Sequence, residues 1–311
     1  MAIDMKGKNL VSINDLSREE VTQILEIAEI IKLRHYSHEE QPLLKGKVLG
    51  MIFQKPSLRT RVSFEIGMIQ LGGQAIYLGP GDIKLGEREA TKDIARVLSR
   101  YVSGIMARTF SHEIILELAK HSSVPVINGL SNLLHPCQVL GDLLTIKEKK
   151  GRLSNLKLVY IGDGGNNVAH SLLFGSVKVG MDIVLAVPPG YEPKEEIVNL
   201  ANEDAKKIGS RIEIIQDPKE AIDGADIIYT DVWTSMGFEK ESEIRKDVFK
   251  PYQINQDLVN KAKDDVIILH CLPAHRGEEI TDEVIDGPHS VVIDQAENRL
   301  HVQKGILALL L

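Results

Sequence analysis

Short apolar runs rich in β-branched residues alternate along this chain with longer segments whose apolar residues recur at helical spacing. The short runs are apolar on both faces, which is typical of parallel strands that helices cover on both sides. These patterns predict an α/β fold with two doubly wound parallel sheets. The predicted strands cover residues 47–53, 74–78, 103–108, 124–130, 156–162, 181–187, 211–216, 225–230, 266–271 and 290–294. Helical segments include residues 17–33, 91–101 and 113–121.

The predicted strands fall into two sets of comparable length, and 311 residues suit two domains. We expect a first domain over residues 1–138 and a second over residues 151–294. A helix over 139–150, ended by Gly151 after a lysine run, should bridge them. The amphipathic segment 296–311 follows the last predicted strand, and we expect it to pack back on the first domain.

The segment KPSLRTRVSFE at 55–65 directly follows the first predicted strand. Pro56 disfavours helical geometry in the residue before it, and Ser57 is a good N-cap, so a helix should begin here. The helical spacing of three apolar residues predicts one buried stripe, made of Val62, Ile66 and Ile69.

The first turn of this helix gathers groups that bind anions, namely Ser57, Leu58, Arg59 and Thr60. Its amide hydrogens lack partners, and the positive end of the helix dipole favours phosphate there. Arg59 adds a planar fork that binds phosphate oxygens in pairs. The alternative is an ordinary capped helix whose arginines meet surface carboxylates. The segment lacks the glycines and lysine spacing of a Walker loop.

Two other strand ends strengthen the anion-site interpretation. The run SGIMAR ends at Arg108, and VPVINGLSNLLHPCQ leads to His135, Pro136 and Gln138. Taken singly, such residues are more often a surface charge, a cap or a packed ring. Together with Arg59 they can hold a phosphate and aim donors at a carbonyl oxygen beside it, which lowers an acyl-transfer barrier.

The second half of the chain begins with a strand, a glycine turn and a helix in LKLVYIGDGGNNVAHSL. Gly162, Gly164 and Gly165 resemble a dinucleotide-binding turn, so a nicotinamide-dependent oxidoreductase is a rival interpretation. That fingerprint also requires an acid after the next strand to hold the ribose, but the strand at 181–187 ends in PPGY. The sequence therefore favours a site without this cofactor.

Polar side chains after the later strands suit a small polar ligand instead. Asn166 and Asn167 would offer amides, while Asp231 and Ser235 follow another apolar run, where a carboxylate can hold an ammonium group. Capping of the loop is the alternative role of Asp231, and the nearby Trp233 is expected to pack in the core.

His270, Cys271 and His275 form a set that suggests a metal ion. Neighbouring residues of a strand point to opposite faces, so His270 and Cys271 should not converge on one ion. We therefore expect no metal.

The composition excludes several classes of partner. The chain is 43% hydrophobic and 26% charged, with a formal net charge of −7 and mixed signs, which argues against a nucleic-acid partner. Cys137 and Cys271 make no disulfide framework. The start lacks the apolar stretch of a secretory signal, and nothing approaches the ~20 apolar residues of a membrane span. A cytoplasmic protein is expected.

Several motifs now resemble those of the aspartate/ornithine carbamoyltransferase family, and of its ornithine type in particular. They are SLRTRVSFE, HPCQ, DGGNN, DVWTSMG, HCLPAHRGEE and DQAENRLH, in the order of that family and over nearly the whole chain. The resemblance implies two α/β domains that close over carbamoyl phosphate and L-ornithine to give L-citrulline and phosphate. It also implies homotrimers, or multiples of trimers, and no metal or organic cofactor.

The resemblance assigns residues to each substrate. Carbamoyl phosphate would contact Ser57, Leu58, Arg59, Thr60, Lys84, Arg108, His135, Pro136, Cys137, Gln138, Cys271, Leu272 and Arg299. Ornithine would contact Asn167, Asp231, Ser235 and Met236. The implied catalytic residues are Arg59, Arg108, His135, Asp231 and Cys271.

The chain departs from the family pattern at two positions. Leu58 replaces the first threonine of the usual Ser-Thr-Arg-Thr-Arg, which keeps the backbone N–H but loses a hydroxyl. Lys84 stands where the family commonly has glutamine, in a loop that resembles the one reaching a neighbouring subunit's site. Our hypothesis is that Lys84 binds the anionic substrate there; the alternative is that it faces solvent.

Three other functions stay open at this point. One is a transcarbamylase for another amine, such as putrescine, although Ser235 and Met236 favour an amino acid. The second is the nicotinamide-dependent oxidoreductase, and the third is a non-catalytic anion-binding or regulatory protein.

Overall fold

A computed structural model describes residues 2–39, 41–83, 85, 89–234 and 241–311. The chain divides into two compact units, residues 1–144 with 297–311 and residues 145–296. Both divisions fall within helices, Pro136–Lys150 and Val292–Leu310.

The described strands are, in chain order, β1 Val48–Phe53, β2 Gln74–Leu78, β3 Gly104–Arg108, β4 Val126–Leu130, β5 Lys157–Ile161, β6 Asp182–Ala186, β7 Ile212–Ile215, β8 Ile227–Thr230 and β9 Ile267–His270. The described α-helices are α1 Arg18–Tyr36, α2 Leu58–Gln70, α3 Thr91–Leu98, α4 His112–His121, α5 Pro136–Lys150, α6 Asn167–Lys178, α7 Glu195–Ile208, α8 Pro218–Ala221, α9 Ser242–Phe249, α10 Gln256–Val259, α11 Asp282–Ile285 and α12 Val292–Leu310. Short 3-10 helices cover Ile13–Asp15 and Lys250–Tyr252.

The first unit contains a parallel sheet of order β2-β1-β3-β4. Strand β3 is buried along its whole length, because apolar side chains of the surrounding helices, such as Ile94, Ile115 and Leu118, pack in one core with Ile105. All the pairings are parallel, so the loops that follow β1, β3 and β4 emerge at the same edge of the sheet. The predicted anion-binding residues come from these loops.

The second unit contains a parallel sheet of order β7-β6-β5-β8-β9. The chain passes from β5 to β6 on one side and later returns to β8 on the other. This reversal of strand order makes the carboxyl end of β5 the usual place for a ligand in such sheets. The loops after β5, β8 and β9 supply the polar residues that the sequence places in this half.

The predicted fold class is confirmed, but the predicted strand over 290–294 is wrong. Ser290 makes an isolated bridge to Ile268, and α12 already begins at Val292. Val292 is buried in the core of the second unit. A short apolar run does not distinguish a strand from the buried first turn of a helix, which explains the error.

The predicted buried stripe of α2 is also wrong. Val62, Ile66 and Ile69 are 46%, 36% and 57% exposed. The buried face instead carries Phe64 and Met68, together with two smaller residues. Periodicity identifies an apolar face, but it does not say which face the rest of the fold covers.

Within the described ranges, no helix has both the length and the apolar character needed to cross a membrane.

Candidate active site

The start of α2 presents a capped helix end after strand β1. The Ser57 hydroxyl accepts a hydrogen bond from the Thr60 amide at 3.3 Å, so the helix begins where the sequence predicts. The Leu58 side chain is 76% exposed, whereas Thr60 is fully buried. The first-turn amides and the dipole make this end favourable for an anion.

Two buried guanidinium groups converge on the Thr60 hydroxyl. Arg299 Nη2 donates to Thr60 Oγ1 at 3.0 Å, and Arg108 Nη1 lies 3.5 Å from the same oxygen. Arg108 is 7% exposed and Arg299 is 3% exposed. Arg108 ends β3, and Arg299 belongs to α12. Bringing two cations to one neutral oxygen concentrates positive charge beside the helix start.

The imidazole of His135 lies in the electric field of these guanidinium groups. His135 is buried, and its pKa is well below the ordinary value because burial and the charges of Arg299, Arg108 and Arg59 all disfavour the imidazolium. At neutral pH the ring is therefore neutral and can donate one hydrogen bond without adding charge.

Gln138 completes this cluster from the first turns of α5. Its Nε2 donates to the buried Asp142 carboxylate at 2.8 Å, which fixes the orientation of the amide. The Gln138 Oε1 atom is buried, and it has no hydrogen-bond partner among the described residues. The amide thus presents an acceptor that suits an N–H group of a ligand.

The second unit places Asp231 and Cys271 together after adjacent strands. Asp231 follows β8, Cys271 follows β9, and the Cys271 thiol donates to Asp231 Oδ1 at 2.9 Å. The pKa of Asp231 is raised by burial, which outweighs the nearby His270 and the hydrogen bonds to the carboxylate. The pair combines an acceptor for an ammonium or amine with a thiol.

Asn166 links this pair to the glycine turn after β5. Its Nδ2 donates to Asp231 Oδ2 at 3.2 Å and to the Tyr160 hydroxyl at 2.8 Å. Its Oδ1 accepts from the Ala169 amide at 2.7 Å and caps α6. Asn166, which we predicted to offer an amide to a ligand, is therefore engaged within the protein.

The comparisons with known proteins decide the family. Residues 8–148 match the model "Aspartate/ornithine carbamoyltransferase, carbamoyl-P binding domain", and residues 154–310 match its "Asp/Orn binding domain". The chain belongs to the aspartate/ornithine carbamoyltransferase family.

Individual members resemble the chain along its full length. It is 54% identical to the ornithine carbamoyltransferase of Pyrococcus abyssi over 311 residues, covering 100% of this chain and 98% of that protein. The ornithine carbamoyltransferase of Carboxydothermus hydrogenoformans is 54% identical over 100% of both chains. The solved structure of the Pyrococcus furiosus ornithine carbamoyltransferase has a TM-score of 0.97 at 53% identity, covering 99% of this chain and 98% of that one.

Not all residues implied by the family motifs show a free side chain. Cys137 is fully buried, its thiol donates to the Asn128 carbonyl at 3.4 Å, and burial raises its pKa to about 12. Pro136 is buried beside it, Leu272 adjoins Cys271, and Asn167 is half-buried at the start of α6. Lys84, Ser235 and Met236 lie outside the described residues.

Sequence reasoning missed a buried carboxylate behind the Cys271 loop of this carbamoyltransferase. Glu279 Oε1 lies 2.9 Å from His270 Nε2 and accepts from the His275 amide at 2.7 Å. His270 Nδ1 in turn accepts from the Leu272 amide at 2.9 Å. The ring therefore ties Glu279 to the Cys271 loop. The acidic pair of HRGEE was the available signal, but only the fold shows which acid is buried.

The expectation that His270 and Cys271 diverge is wrong, because β9 ends at His270 and Cys271 already belongs to the turn. Ligand atoms of Asp231, His270 and Cys271 all lie within 4.8 Å of one another. Both ring nitrogens of His270 already face protein partners, Glu279 and the Leu272 amide. A metal would have to displace those contacts.

The glycine turn after β5 is packed against protein. A Cβ at Gly164 would lie 2.9 Å from the Tyr191 carbonyl and 2.9 Å from Val187. The glycine is therefore required by the neighbouring loop after β6, which gives it a role without a dinucleotide.

Proposed function

We propose that the protein is an ornithine carbamoyltransferase, which transfers the carbamoyl group of carbamoyl phosphate to the δ-amine of L-ornithine to give L-citrulline and phosphate. The observation that carries the proposal is the cationic cluster of the first unit, where Arg108 and Arg299 meet at Thr60 beside neutral His135. The full-length similarity to proteins named ornithine carbamoyltransferase supports the same reaction.

In this proposal the first unit binds carbamoyl phosphate. The phosphate lies at the start of α2, held by first-turn amides, Ser57, Thr60 and the Arg59 fork. Arg108 and neutral His135 donate to the carbonyl oxygen, where negative charge develops on attack. Gln138 Oε1 accepts from the carbamoyl NH2 group, for which its unpartnered acceptor is suited. Arg108 and His135 are buried, so they donate where water screens them little.

The second unit holds ornithine as its neutral amine. A lysine-like amine has a pKa of about 10.4, so the site must remove a proton before attack. Asp231 is the proposed acceptor at this end, with Cys271 beside it at 2.9 Å. Asn167, Ser235 and Met236 are the proposed contacts of the α-amino and carboxylate groups.

The chemical step then balances without a cofactor. The δ-nitrogen lone pair forms a C–N bond to the carbamoyl carbon, giving a tetrahedral intermediate whose oxyanion faces Arg108 and His135. The C–O bond to phosphate breaks as the carbonyl re-forms, and the leaving phosphate takes the proton from nitrogen. Citrulline and inorganic phosphate result.

An assay of carbamoyl transfer to a panel of amines tests the proposal. We expect the protein to form citrulline from ornithine. The kcat/KM for putrescine or aspartate should be about tenfold lower or more, because a site that pairs with the carboxylate and α-amine of ornithine leaves polar groups unpaired with other amines. Preference for putrescine would establish a different transcarbamylase. No product with any amine would favour the non-catalytic alternative, and NAD(H) binding by fluorescence titration would favour the oxidoreductase.

Lys84 is proposed to bind the anionic substrate of a neighbouring subunit. It would add positive charge where Leu58 has removed a hydroxyl. The Michaelis constant for carbamoyl phosphate should therefore rise in Lys84→Gln. An unchanged constant would mean that Lys84 does not touch this substrate.

Assembly into a homotrimer, or a multiple of it, is also part of the proposal. The exposed apolar residues Val62, Ile66 and Ile69 of α2 and Ile76 of the edge strand β2 support an interface between copies. Analytical ultracentrifugation should give a mass that is an integral multiple of three chains. A monomer would contradict the proposal.

A cytoplasmic location fits the same chemistry. The two cysteines are thiols that form no disulfide, and the Cys271 thiol donates to Asp231. A reducing compartment would keep that thiol in the form that the proposal uses.

A further inference from the structure

Arg245 joins two loops that carry ornithine-site residues. Its Nη1 donates to Asp163 Oδ2 at 2.7 Å and to the Trp233 carbonyl at 3.0 Å. Asp163 lies in the loop after β5, and Trp233 lies in the loop after β8. Since β5 and β8 are adjacent strands, one guanidinium group fixes the spacing between the loops from which Asn167 and Asp231 emerge.

The environment makes this contact strong. Arg245 and Asp163 are each 5% exposed, and the Arg245 guanidinium lies 5.0 Å from the centre of the Tyr191 ring. Its Nε also donates to Glu241 at 3.1 Å. Burial raises the pKa of Asp163, and the Arg245 hydrogen bond and charge oppose that rise. Removing Arg245 would leave a buried carboxylate without its cation, which is costly.

The second carboxylate oxygen of Asp163 connects this ion pair to the proposed ornithine-binding residues. Asp163 Oδ1 accepts from the Gly165 amide at 2.9 Å and so shapes the turn that leads to Asn166. Asn166 in turn donates to the Asp231 carboxylate at 3.2 Å. A continuous chain of contacts thus runs from Arg245 through Asp163 and Asn166 to Asp231.

We infer that Arg245 is a positioning residue for the ornithine half of the reaction: it acts through Asp163 and the Trp233 carbonyl to hold Asn166 and Asp231 in register. The inference rests on the proposed function. It excludes a direct contact between Arg245 and either substrate, and it predicts that only the ornithine half of the kinetics depends on Arg245.

The test compares Arg245→Lys and Arg245→Gln with a matched control. Arg211→Gln serves as the control because Arg211 also pairs with an aspartate of this unit, Asp182 at 2.9 Å, but is 76% exposed. The ornithine KM should rise about tenfold in Arg245→Lys and further in Arg245→Gln, since hydrogen bonds to charged groups contribute about a factor of ten or more. The KM for carbamoyl phosphate should stay within about twofold in every variant, because the proposed contacts of its phosphate and carbonyl groups belong to the first unit, outside this chain of hydrogen bonds.

Asp163→Asn in the Arg245→Gln background adds a second readout. Because Arg245 acts by compensating Asp163, the double variant should have an ornithine KM no higher than that of Arg245→Gln. A rise in the ornithine KM of the double variant equal to the product of the rises in the single variants Arg245→Gln and Asp163→Asn would overturn the inference. So would a folded Arg245→Lys enzyme with an unchanged ornithine KM, or an equal rise in both Michaelis constants.

Amide hydrogen exchange of residues 163–169 separates this inference from the proposed function. Faster exchange there in Arg245→Lys, but not in Arg211→Gln, is expected whether or not the protein forms citrulline. Unchanged exchange would contradict the positioning role even in an active enzyme. Absence of citrulline with the wild-type protein would instead contradict the proposed function.

Discussion

The two units use the same architecture to build sites of opposite charge. In each, loops at the carboxyl ends of parallel strands supply the polar residues. The first unit gathers Arg59, Arg108 and Arg299 around His135, whereas the second sets Asp231 beside Cys271. In the proposed function the sheet determines where a ligand binds, and the charge of the loop residues determines which ligand: an anion in the first unit and an amine in the second.

Burial acts on both sites, with opposite effects on the pKa. It lowers the pKa of His135, where the charged form is a cation, and raises that of Asp231, where the charged form is an anion. Each site thereby moves one group toward its neutral form. His135 can donate a hydrogen bond without repelling the neighbouring arginines, and Asp231 becomes a better proton acceptor for an amine.

The largest expected effect comes from removing a cation of the first unit. Arg59→Ala should lower kcat by about 10²–10³-fold, as loss of a preorganised donor does when negative charge grows on the departing phosphate that it binds. Steady-state kinetics and a thermal unfolding scan should show loss of turnover with little loss of stability. Arg34→Ala, which removes an exposed arginine of α1, is the control. Near-normal turnover of Arg59→Ala would refute the assignment.

In the second unit, Asp231→Asn should weaken the binding of ornithine. We expect the ornithine KM to rise by about 100-fold, since a buried charge partner is worth about 3 kcal/mol. Affinity for carbamoyl phosphate should stay within about threefold, because the proposed contacts of its phosphate and carbonyl groups belong to the first unit. The control is Asp286→Asn, at an exposed aspartate paired with Arg276, which should alter neither the ornithine KM nor the affinity for carbamoyl phosphate. Equal loss of affinity for both substrates would contradict the assignment of one substrate to each unit.

His135 has a lowered pKa, so the proposed role of its ring is that of a neutral hydrogen-bond donor. His135→Gln, which keeps an N–H donor, should be about tenfold more active than His135→Ala, the difference expected for one hydrogen bond to a developing charge. The pH profile of kcat between pH 6 and 8 should be the same for the wild type and His135→Gln. Equal activities of the two variants would argue for an acid–base role instead.

Leu58→Thr should have a smaller effect in the first unit. A new hydroxyl at the start of α2 can donate to phosphate, so the KM for carbamoyl phosphate should fall about threefold. Leu43→Thr, at another exposed leucine of the unit, is the control. A rise in KM would show that Leu58 contributes by apolar contact.

The smallest effect concerns stability alone. Burial lowers the pKa of Lys304 to about 8 from 10.5. The folded state therefore binds fewer protons than the unfolded state between these values, and wild-type stability rises with pH across that window. Lys304→Met should be more stable than the wild type below pH 8, and the gain should shrink by pH 10.5. Chemical denaturation at both ends of the window measures it, with exposed Lys45→Met as control.

A pH-independent gain in Lys304→Met would mean that added apolar packing, not removal of a buried charge, stabilises the variant.

The fold was largely predictable because parallel strands buried on both faces leave an unambiguous apolar pattern. The errors lie where that pattern is ambiguous. The run at 290–294 is too short to separate a strand from a buried helix start, and the α2 stripe is apolar but exposed.

The sites were predictable only in part. Arg59, Arg108, His135 and Asp231 could be found because they follow strands. Glu279 and Arg245 could not, since each acts through a contact made across the fold, with His270 and Asp163 respectively. The contact between Asn166 and Asp231 was likewise missed, because it joins loops that are 65 residues apart in the sequence.

Calorimetric titration of carbamoyl phosphate into the wild type, Arg59→Ala and Asp231→Asn tests the division of charge most directly. We expect carbamoyl phosphate to bind the wild type and Asp231→Asn with dissociation constants within about threefold of each other. Binding to Arg59→Ala should be about 30-fold weaker or more, as expected for loss of a bidentate charged contact. No heat with the wild type, or equal weakening in both variants, would contradict that division of charge.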